Sequence, residues 1–438
     1  MSLPSNELPR HFDSSRDFIW ASGVENTFIP QTKRGHRALD EYELINHYEY
    51  WREDLALARE VGVGAIRWGV PWYRVEPRPG DFDWTWTDEV LPYLVHDLKI
   101  MPIIDLMHYG CPLWLDREFV NEDYPRAVAA YAEAFARRYH DIISWYTPLN
   151  EPLMNALWSG KRGLWPPYLR GDGGYTRIMM QLARGIVRTV EAIKGVDPDA
   201  RMVQVEAVGL TRAEVPELQV LAQESQAQIF LSYDLISGRV DTNHMLYSWL
   251  VRNGASLHDL AELKRRAVPL DIVGLNFYPQ WSTTELHRDR AGRMQSRVVE
   301  KDGAGFAELL ADAHRRYDVP VMVTETSARG THATRLRWMN ESLAAIKRLR
   351  ERGVPVVGYT WFPMMTMFNW HYRFGTQPAE KYRIELGLYV LDQESGKQRW
   401  QVTPLVERFR EHIEDSERSV GVLADGRDVT EGGISAAS

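Results

Sequence analysis

The sequence predicts a single (β/α)8 barrel, and three observations lead to this fold class. Short apolar runs rich in Val and Ile alternate with longer amphipathic segments along the whole 438-residue chain. This alternation is typical of a parallel sheet built from βα units. Eight such units can be counted, and no Gly-, Ser- or Pro-rich linker separates them. One closed barrel is therefore favoured over the roughly three domains that the length alone would suggest.

The strands are predicted where the apolar runs occur. In chain order they cover Phe18–Val24, Ala65–Val70, Met101–Met107, Trp145–Asn150, Arg201–Ala207, Ile272–Phe277, Val321–Thr324 and Pro355–Trp361. Each run is followed by a longer helical pattern, which is the order that a right-handed βα unit requires.

The segments between the strands carry apolar residues every three to four positions, which predicts helices that pack one face on the sheet. The clearest helices are predicted over Leu44–Val61, Pro125–Tyr139, Tyr175–Ile193 and Thr334–Arg352.

Two longer segments, 155–174 and 280–304, break this repeat. They follow strands four and six, where the loops at the C-terminal face of a barrel lie. We predict a catalytic barrel over residues 1–415 and, because residues 416–438 lack an apolar face, a flexible C-terminal tail.

Composition limits the partners. With 52 basic and 60 acidic residues the net charge is −8, which argues against nucleic acid. Cys111 is the single cysteine, so no intrachain disulfide forms. The N-terminus has no apolar h-region and no run reaches the about eighteen apolar residues of a membrane span. The expectation is a cytoplasmic protein without a membrane partner, whose oligomeric state the sequence leaves open.

Polar and aromatic side chains stand where the predicted strands end. These residues are Arg67, His108, Asn150, Glu151, Asn276, Tyr278, Glu325 and Trp361. Strands four and seven lie on opposite sides of a barrel mouth, so Glu151 and Glu325 are predicted to face each other across it. Paired carboxyls with separated pKa values are what glycosidic bond cleavage needs. Arg67 beside one carboxylate would keep it ionised.

Several motifs resemble those of glycoside hydrolase family 1, the β-glucosidase-like retaining enzymes. WYTPLNEP, at Trp145–Pro152, is similar to the family's W-x-T-x-N-E-P. AIRWGVPWYRVEP, MHYGCPLWL, DIVGLNFY and VMVTET resemble four further family motifs, in the family's order and at the ends of the matching strands. Five ordered motifs are far more specific than one.

The resemblance implies a role for each matching residue. Glu151 corresponds to the acid/base and Glu325 to the nucleophile, with Arg67 and Tyr278 holding the nucleophile. Sugar-binding roles are implied for the remaining candidates, which are His108, Asn150, Asn276, Trp361, Asn369 and Trp370. Asn150 would bind the 2-hydroxyl, His108 the region of the 3-hydroxyl, and Trp361 or Trp370 the sugar face. The substrate expected is a small glycoside or an oligosaccharide.

The chain departs from the family where the sugar's outer hydroxyls are bound. Asn369 stands where the family has a glutamate, and Glu25 or Asn26 is a shifted substitute for a family glutamine. Tyr109 follows the histidine where the family has tryptophan. Lys381 and the tyrosine after it resemble only weakly the Lys and Tyr that bind phosphate in family members with phosphorylated substrates. The sequence therefore predicts bond cleavage and leaves the sugar open.

Two alternative functions stay open, and neither a metal nor a nucleotide cofactor is expected. The N-E-P triplet also occurs in other retaining barrel families, and a carbohydrate-binding pseudo-enzyme would keep the same cleft. The 13 His form no H-E-x-x-H motif and have no Cys partner, so no metal is expected. No G-x-G-x-x-G or P-loop is present, so no nucleotide cofactor is expected.

Overall fold

The computed structural model describes residues 17–300, 302–392 and 399–428, and its centre is a closed barrel of eight parallel strands. Each strand pairs with its neighbours in the chain, and the first pairs with the last. The strands are β1 Ile19–Gly23, β2 Ala65–Gly69, β3 Met101–Asp105, β4 Trp145–Thr147, β5 Arg201–Ala207, β6 Ile272–Phe277, β7 Val321–Thr326 and β8 Val356–Trp361. The predicted (β/α)8 barrel is confirmed.

Three strand ends differ from the prediction by more than one residue. β3 ends at Asp105 instead of Met107 and β4 ends at Thr147 instead of Asn150, because the backbone beyond these residues leaves the sheet and hydrogen-bonds to neighbouring segments. The amide of Phe28, for example, donates to the carbonyl of His108 over 3.1 Å. β7 extends two residues further than predicted, through Glu325, because it keeps pairing with β6 across a register shift.

The major helices alternate with the strands and surround them. They are α1 His47–Val61, α2 Thr85–Pro92, α3 Tyr124–Tyr139, α4 Gly171–Val196, α5 Gln219–Ile229, α6 Leu257–Arg265, α7 Gly303–Tyr317, α8 His332–Glu351 and α9 Pro404–Asp428. Their ends follow local chemistry. Thr331 caps α8 by accepting from the amide of Thr334, and Gly62, with φ +88°, ends α1 in the left-handed region that glycine favours.

The barrel interior is apolar at one end and polar at the other. A buried apolar cluster inside it comprises Ala21, Ala65, Met101, Ile103, Trp145, Val203, Val205, Ile272, Met322 and Val357. Side chains two residues apart on a strand share a face. The inward positions that follow Ala65, Ile103 and Met322 are therefore occupied by Arg67, Asp105 and Thr324. The strands themselves place polar groups at the C-terminal mouth.

The two segments that break the repeat contain structure of their own. A helical turn, Ala156–Lys161, lies within the first. In the second, strands Thr283–Arg288 and Met294–Val298 form a hairpin that pairs with strand Leu210–Ala213. All five residues of the outer hairpin strand are exposed, so the apolar alternation that reveals a strand is missing from its sequence.

The last described residues continue α9. Residues 416–428 are helical, and residues 429–438 of the predicted tail lie outside the described residues. The division at residue 415 stays a prediction. Of the helices in the described ranges, none combines the length and the apolar character that a bilayer span requires.

Candidate active site

Arg67 on β2 is the centre of the polar network at the barrel mouth. Its Nη1 lies 2.5 Å from Oε1 of Glu325, and its Nη2 lies 3.0 Å from both Oδ2 of Asp105 and Oδ1 of Asn150. The guanidinium is only 2% exposed. A cation buried this deeply is tolerated only when it is paired and hydrogen-bonded. Arg67 thus ties together the ends of β3, β4 and β7.

Glu325 owes its position to a β-bulge. On β7, Val323 pairs with Leu275 and Glu325 pairs with Asn276, so Thr324 is left without a partner in the ladder. The bulge lets two successive side chains reach the interior, which strict alternation forbids. The hydroxyl of Thr324 donates to Oδ1 of Asn276 over 2.7 Å, while Glu325 meets Arg67.

Tyr278 holds the other oxygen of Glu325. Its phenol donates to Oε2 over 2.7 Å, and Arg67 occupies Oε1. The carboxylate is therefore fixed at both oxygens, and its position does not depend on one flexible contact.

Glu151 stands directly after β4, in the left-handed region at φ +46°. Its Oε1 accepts from Nδ2 of Asn276 over 2.8 Å, and its Oε2 accepts from the phenol of Tyr109 over 2.5 Å. The buried carboxylate of Glu206 on β5 accepts from the amide of Leu153 over 3.1 Å, which anchors the following turn. A left-handed non-glycine residue costs about 1–3 kcal/mol and persists where its surroundings over-determine it.

The orientation of the Asn150 amide follows from its partners. Arg67 can only donate, so the atom of Asn150 that faces it is the carbonyl oxygen. The NH2 group then points to Nε2 of His108, over 3.0 Å. His108 therefore carries its proton on Nδ1, which lies 2.9 Å from Asp105. A continuous chain of hydrogen bonds therefore runs from Arg67 through Asn150 and His108 to Asp105.

Burial raises the pKa of both glutamates. The guanidinium of Arg67 opposes this effect at Glu325, whereas the negative charge of Glu151 adds to it. Among the described residues, no cation hydrogen-bonds to Glu151; its donors are a phenol and an amide. When the pair holds one proton, the proton is favoured on Glu151, because Arg67 stabilises the ionised form of Glu325.

Burial lowers the pKa of His108, but the carboxylates of Glu25 and Asp105 more than offset it, so the net direction is upward. Glu25 is 6% exposed, and its Oε1 lies 3.5 Å from Nε2 of His108. Of the two shifted substitutes, Glu25 reaches the network. The side chain of Asn26 instead covers Gly69, where even a Cβ would collide with it.

Seven of the ten predicted site residues form one connected network. They are Arg67, His108, Asn150, Glu151, Asn276, Tyr278 and Glu325. The other three lie on β8 or after it. The ring of Trp370 packs 5.5 Å from that of Tyr109. Trp361 is fully buried and donates to the carbonyl of Leu386, and Oδ1 of Asn369 accepts from the amide of His371.

Sequence reasoning missed Asp105, Tyr109 and Glu206 as members of this site. Asp105 had a signal, since it lies two residues after the inward Ile103 and three before His108. Tyr109 was noted only as a departure from the family motif. Glu206 gave no signal in the sequence, because its partner Leu153 lies in the turn that follows a different strand, β4.

Two features lie outside the network. Among the 16 Trp, all within the described ranges, only Trp281 is more than a third exposed, at 43%. Its ring lies 5.5 Å from that of Tyr278, so it marks the rim of the site. On α6, the side chains of His258, Asp259 and Glu262 come close enough together to share a metal ion, with ligand atoms within 4.8 Å of one another.

Comparisons with known proteins agree with the geometry. A family model described as glycosyl hydrolase family 1 matches residues 25–400. The chain is 21% identical over 388 residues to β-glucosidase A of Thermotoga maritima, covering 80% of this chain and 83% of that protein. It is 25% identical over 406 residues to β-glucosidase 47 of Arabidopsis thaliana, covering 80% and 72%.

Solved structures with the same fold include two β-glucosidases. The Thermotoga maritima enzyme in complex with castanospermine superposes with a TM-score of 0.78 at 18% identity, covering 91% of this chain and 98% of that one. The family 1 β-glucosidase of Exiguobacterium antarcticum gives 0.75 at 18% identity, with 93% and 99% covered.

Proposed function

The chain belongs to glycosyl hydrolase family 1, whose members are retaining β-glycosidases, and on this premise we propose that it cleaves β-glycosides with Glu325 as nucleophile and Glu151 as acid/base. The family resemblance and the expected glycoside hydrolase are thereby confirmed. The roles of the individual residues are our proposal, and the connected network around Arg67 is the observation that carries it.

The proposed reaction has two steps. The carboxylate of Glu325 attacks the anomeric carbon, and the bond to the leaving oxygen breaks while Glu151 gives that oxygen its proton. Glu151 then takes a proton from water, the resulting hydroxide oxygen attacks the same carbon, and the ester bond to Glu325 breaks. Two inversions at one carbon give net retention.

The electrostatics support this division of roles. Arg67 and Tyr278 hold both oxygens of Glu325, which favours an ionised nucleophile at the start of the cycle. The partners of Glu151 are neutral, and burial raises its pKa, which favours a carboxyl that still holds a proton near neutral pH.

A neutral sugar fits the site better than a phosphorylated one. The guanidinium of Arg67 is already engaged by Glu325, Asp105 and Asn150. A phosphate group would meet the carboxylates of Glu25 and the catalytic pair, so its charge would be opposed. The ring of Trp281 is 43% exposed and lies 5.5 Å from that of Tyr278, which supports stacking with an aromatic leaving group and makes aryl glycosides suitable first substrates.

The test combines turnover and trapping. The protein is incubated with a panel of aryl β-glycosides, including 6-phospho sugars and uncommon hexoses, and with the matching 2-deoxy-2-fluoro glycosides. We expect turnover with retained configuration, observed by NMR, and a covalent adduct on Glu325, located by peptide mass analysis. Binding without an adduct or turnover would favour the pseudo-enzyme. A cytoplasmic location stays a prediction from the sequence.

A further inference from the structure

Tyr109 joins the acid/base glutamate to the rest of the network through its hydroxyl. Its oxygen lies 2.5 Å from Oε2 of Glu151 and accepts from Nδ2 of Asn150 over 3.0 Å. We propose that Tyr109 is the positioning residue of the acid/base step, and that its hydroxyl selects Oε2 as the oxygen that exchanges the proton with the leaving group. The inference rests on the proposed function of Glu151.

The two oxygens of Glu151 face partners of different kinds. Asn276 presents its NH2 group to Oε1, and this orientation is fixed because its own carbonyl oxygen accepts from Thr324. An NH2 group can donate but never accept, so it disfavours a proton on Oε1. A phenol can rotate its hydroxyl between donating and accepting. The proton of Glu151 therefore belongs on Oε2, beside Tyr109.

The hydroxyl is not needed for packing. The ring of Tyr109 lies among Trp165, Trp158 and Trp370, with its centroid 5.1 Å from that of Trp165. A phenylalanine ring would fill the same space. In the described part of the chain, the phenol oxygen hydrogen-bonds with Glu151 and Asn150.

The backbone around Tyr109 is built to aim this side chain. Tyr109 has φ +86°, a left-handed conformation that is rare for an aromatic residue. Phe28 secures the backbone on both sides of Tyr109: its amide donates to the carbonyl of His108 and its carbonyl accepts from the amide of Gly110. Such conformations persist where the surrounding structure over-determines them, and they cluster at functional sites.

The hydrogen bond also acts on the protonation of Glu151. Burial raises the pKa of its carboxyl, and the donors Tyr109 and Asn276 lower it again. Glu151 also interacts electrostatically with other titratable groups, which are Glu25, His108, Glu206, Tyr233, Tyr278 and Glu325. Glu151 accepts hydrogen bonds from Tyr109 and Asn276. The donor on Tyr109 is the easier one to test, because Tyr109→Phe removes the hydroxyl and keeps the ring.

The experiment compares pH profiles of kcat/KM for the wild type and Tyr109→Phe, using an aryl β-glycoside with a poor leaving group. Loss of a donor destabilises the ionised carboxyl, so the pKa of Glu151 rises and the basic limb moves to higher pH. A shift of about one pH unit is expected for a hydrogen bond to a charged group. The shift should shrink with a good leaving group, which needs no proton.

Tyr146→Phe is the matched control. Tyr146 is fully buried on β4. Its hydroxyl donates to the carbonyl of Ile143 over 3.1 Å and not to either catalytic glutamate. This variant should keep the wild-type profile. If the basic limb stays in place in Tyr109→Phe, or moves equally in both variants, Tyr109 has no special role.

A second variant guards against a folding defect. Site-specific fluorotyrosine at position 109 keeps the shape of the ring and makes the phenol a stronger donor, so the basic limb should move to lower pH. An unmoved limb, or a shift upward, would overturn the proposal. Failure of the wild type on every glycoside would instead refute the proposed function, so the two failures are distinguishable.

Discussion

The carboxyl ends of β2 to β7 and the segment that follows β8 are built in different ways. On the first side, side chains anchored on strands hold one another through a continuous hydrogen-bond network around Arg67. On the second side, the polar group of Asn369 is used locally, on the amide of His371, and Trp370 packs into an aromatic cluster. The proposed catalytic pair is therefore held by a network that joins several strands, whereas Asn369 and Trp370 are held by local contacts.

The difference leads to a prediction about which residues set the sugar specificity of this chain. Just after β1, Oε1 of Glu25 lies 3.5 Å from Nε2 of His108, so an acidic side chain stands at the mouth on that side. Charge-assisted hydrogen bonds are the strong ones. Replacements on the two sides should therefore have very different effects, and they are ordered below from the largest to the smallest.

Glu325→Gln should abolish turnover, with a loss of at least about 10⁴-fold in kcat, as expected when the nucleophile of a covalent mechanism is removed. The amide keeps the size of the side chain but cannot form the glycosyl ester. Steady-state kinetics with an activated aryl glycoside would measure the loss. Retention of more than a tenth of the activity would mean that another group attacks the sugar.

Glu151→Gln should slow cleavage of substrates with poor leaving groups by about 10²–10⁴-fold, the range typical of general acid catalysis. The loss should be much smaller for activated leaving groups, because those depart without protonation. The measurement is the slope of log kcat/KM against the leaving-group pKa. An equal loss for all leaving groups would contradict the acid role.

Glu25→Gln should lower kcat/KM by about 10- to 100-fold, because a neutral amide replaces the charged carboxylate as the hydrogen-bond acceptor. The effect should vanish with the deoxy sugar that lacks the contacted hydroxyl, since the two changes then remove the same interaction. Glycosides deoxygenated at positions 3, 4 or 6 provide the comparison.

The matched control for Glu25 is Glu118→Gln. Burial raises the pKa of Glu118 to about 8, so at neutral pH it is mostly uncharged and the substitution changes its charge little. This variant should cleave as the wild type does. Equal losses in both variants would show that Glu25 acts only through packing.

Asn369→Ala should change kcat/KM by less than about threefold, roughly half the net value of an ordinary hydrogen bond. Its carbonyl oxygen is already occupied by His371, so stability rather than turnover should respond. Thermal unfolding and kinetics on the same glycoside would measure both. A tenfold loss of kcat/KM would place Asn369 in the sugar site and remove the contrast with Glu25.

Much of the site could be predicted from the sequence because a barrel mouth is defined by strand ends. Arg67 and Asn276 lie on strands whose apolar runs are unmistakable, and Asn150 and Glu151 follow a third. Asp105 and Tyr109 were missed for different reasons. Asp105 lies within a run otherwise read as a buried strand, and the role of Tyr109 depends on a left-handed backbone that periodicity does not reveal.

The sequence by itself determined the barrel, the order of its strands and the two glutamates at its mouth, because period-two and period-3.6 patterns and short motifs are local properties. Only the tertiary structure decided how those glutamates are held. The bulge that turns Glu325 inward, the Tyr109 phenol on Glu151 and the choice of Glu25 over Asn26 all arise from contacts between distant segments. Such contacts are set by packing, which no local pattern encodes.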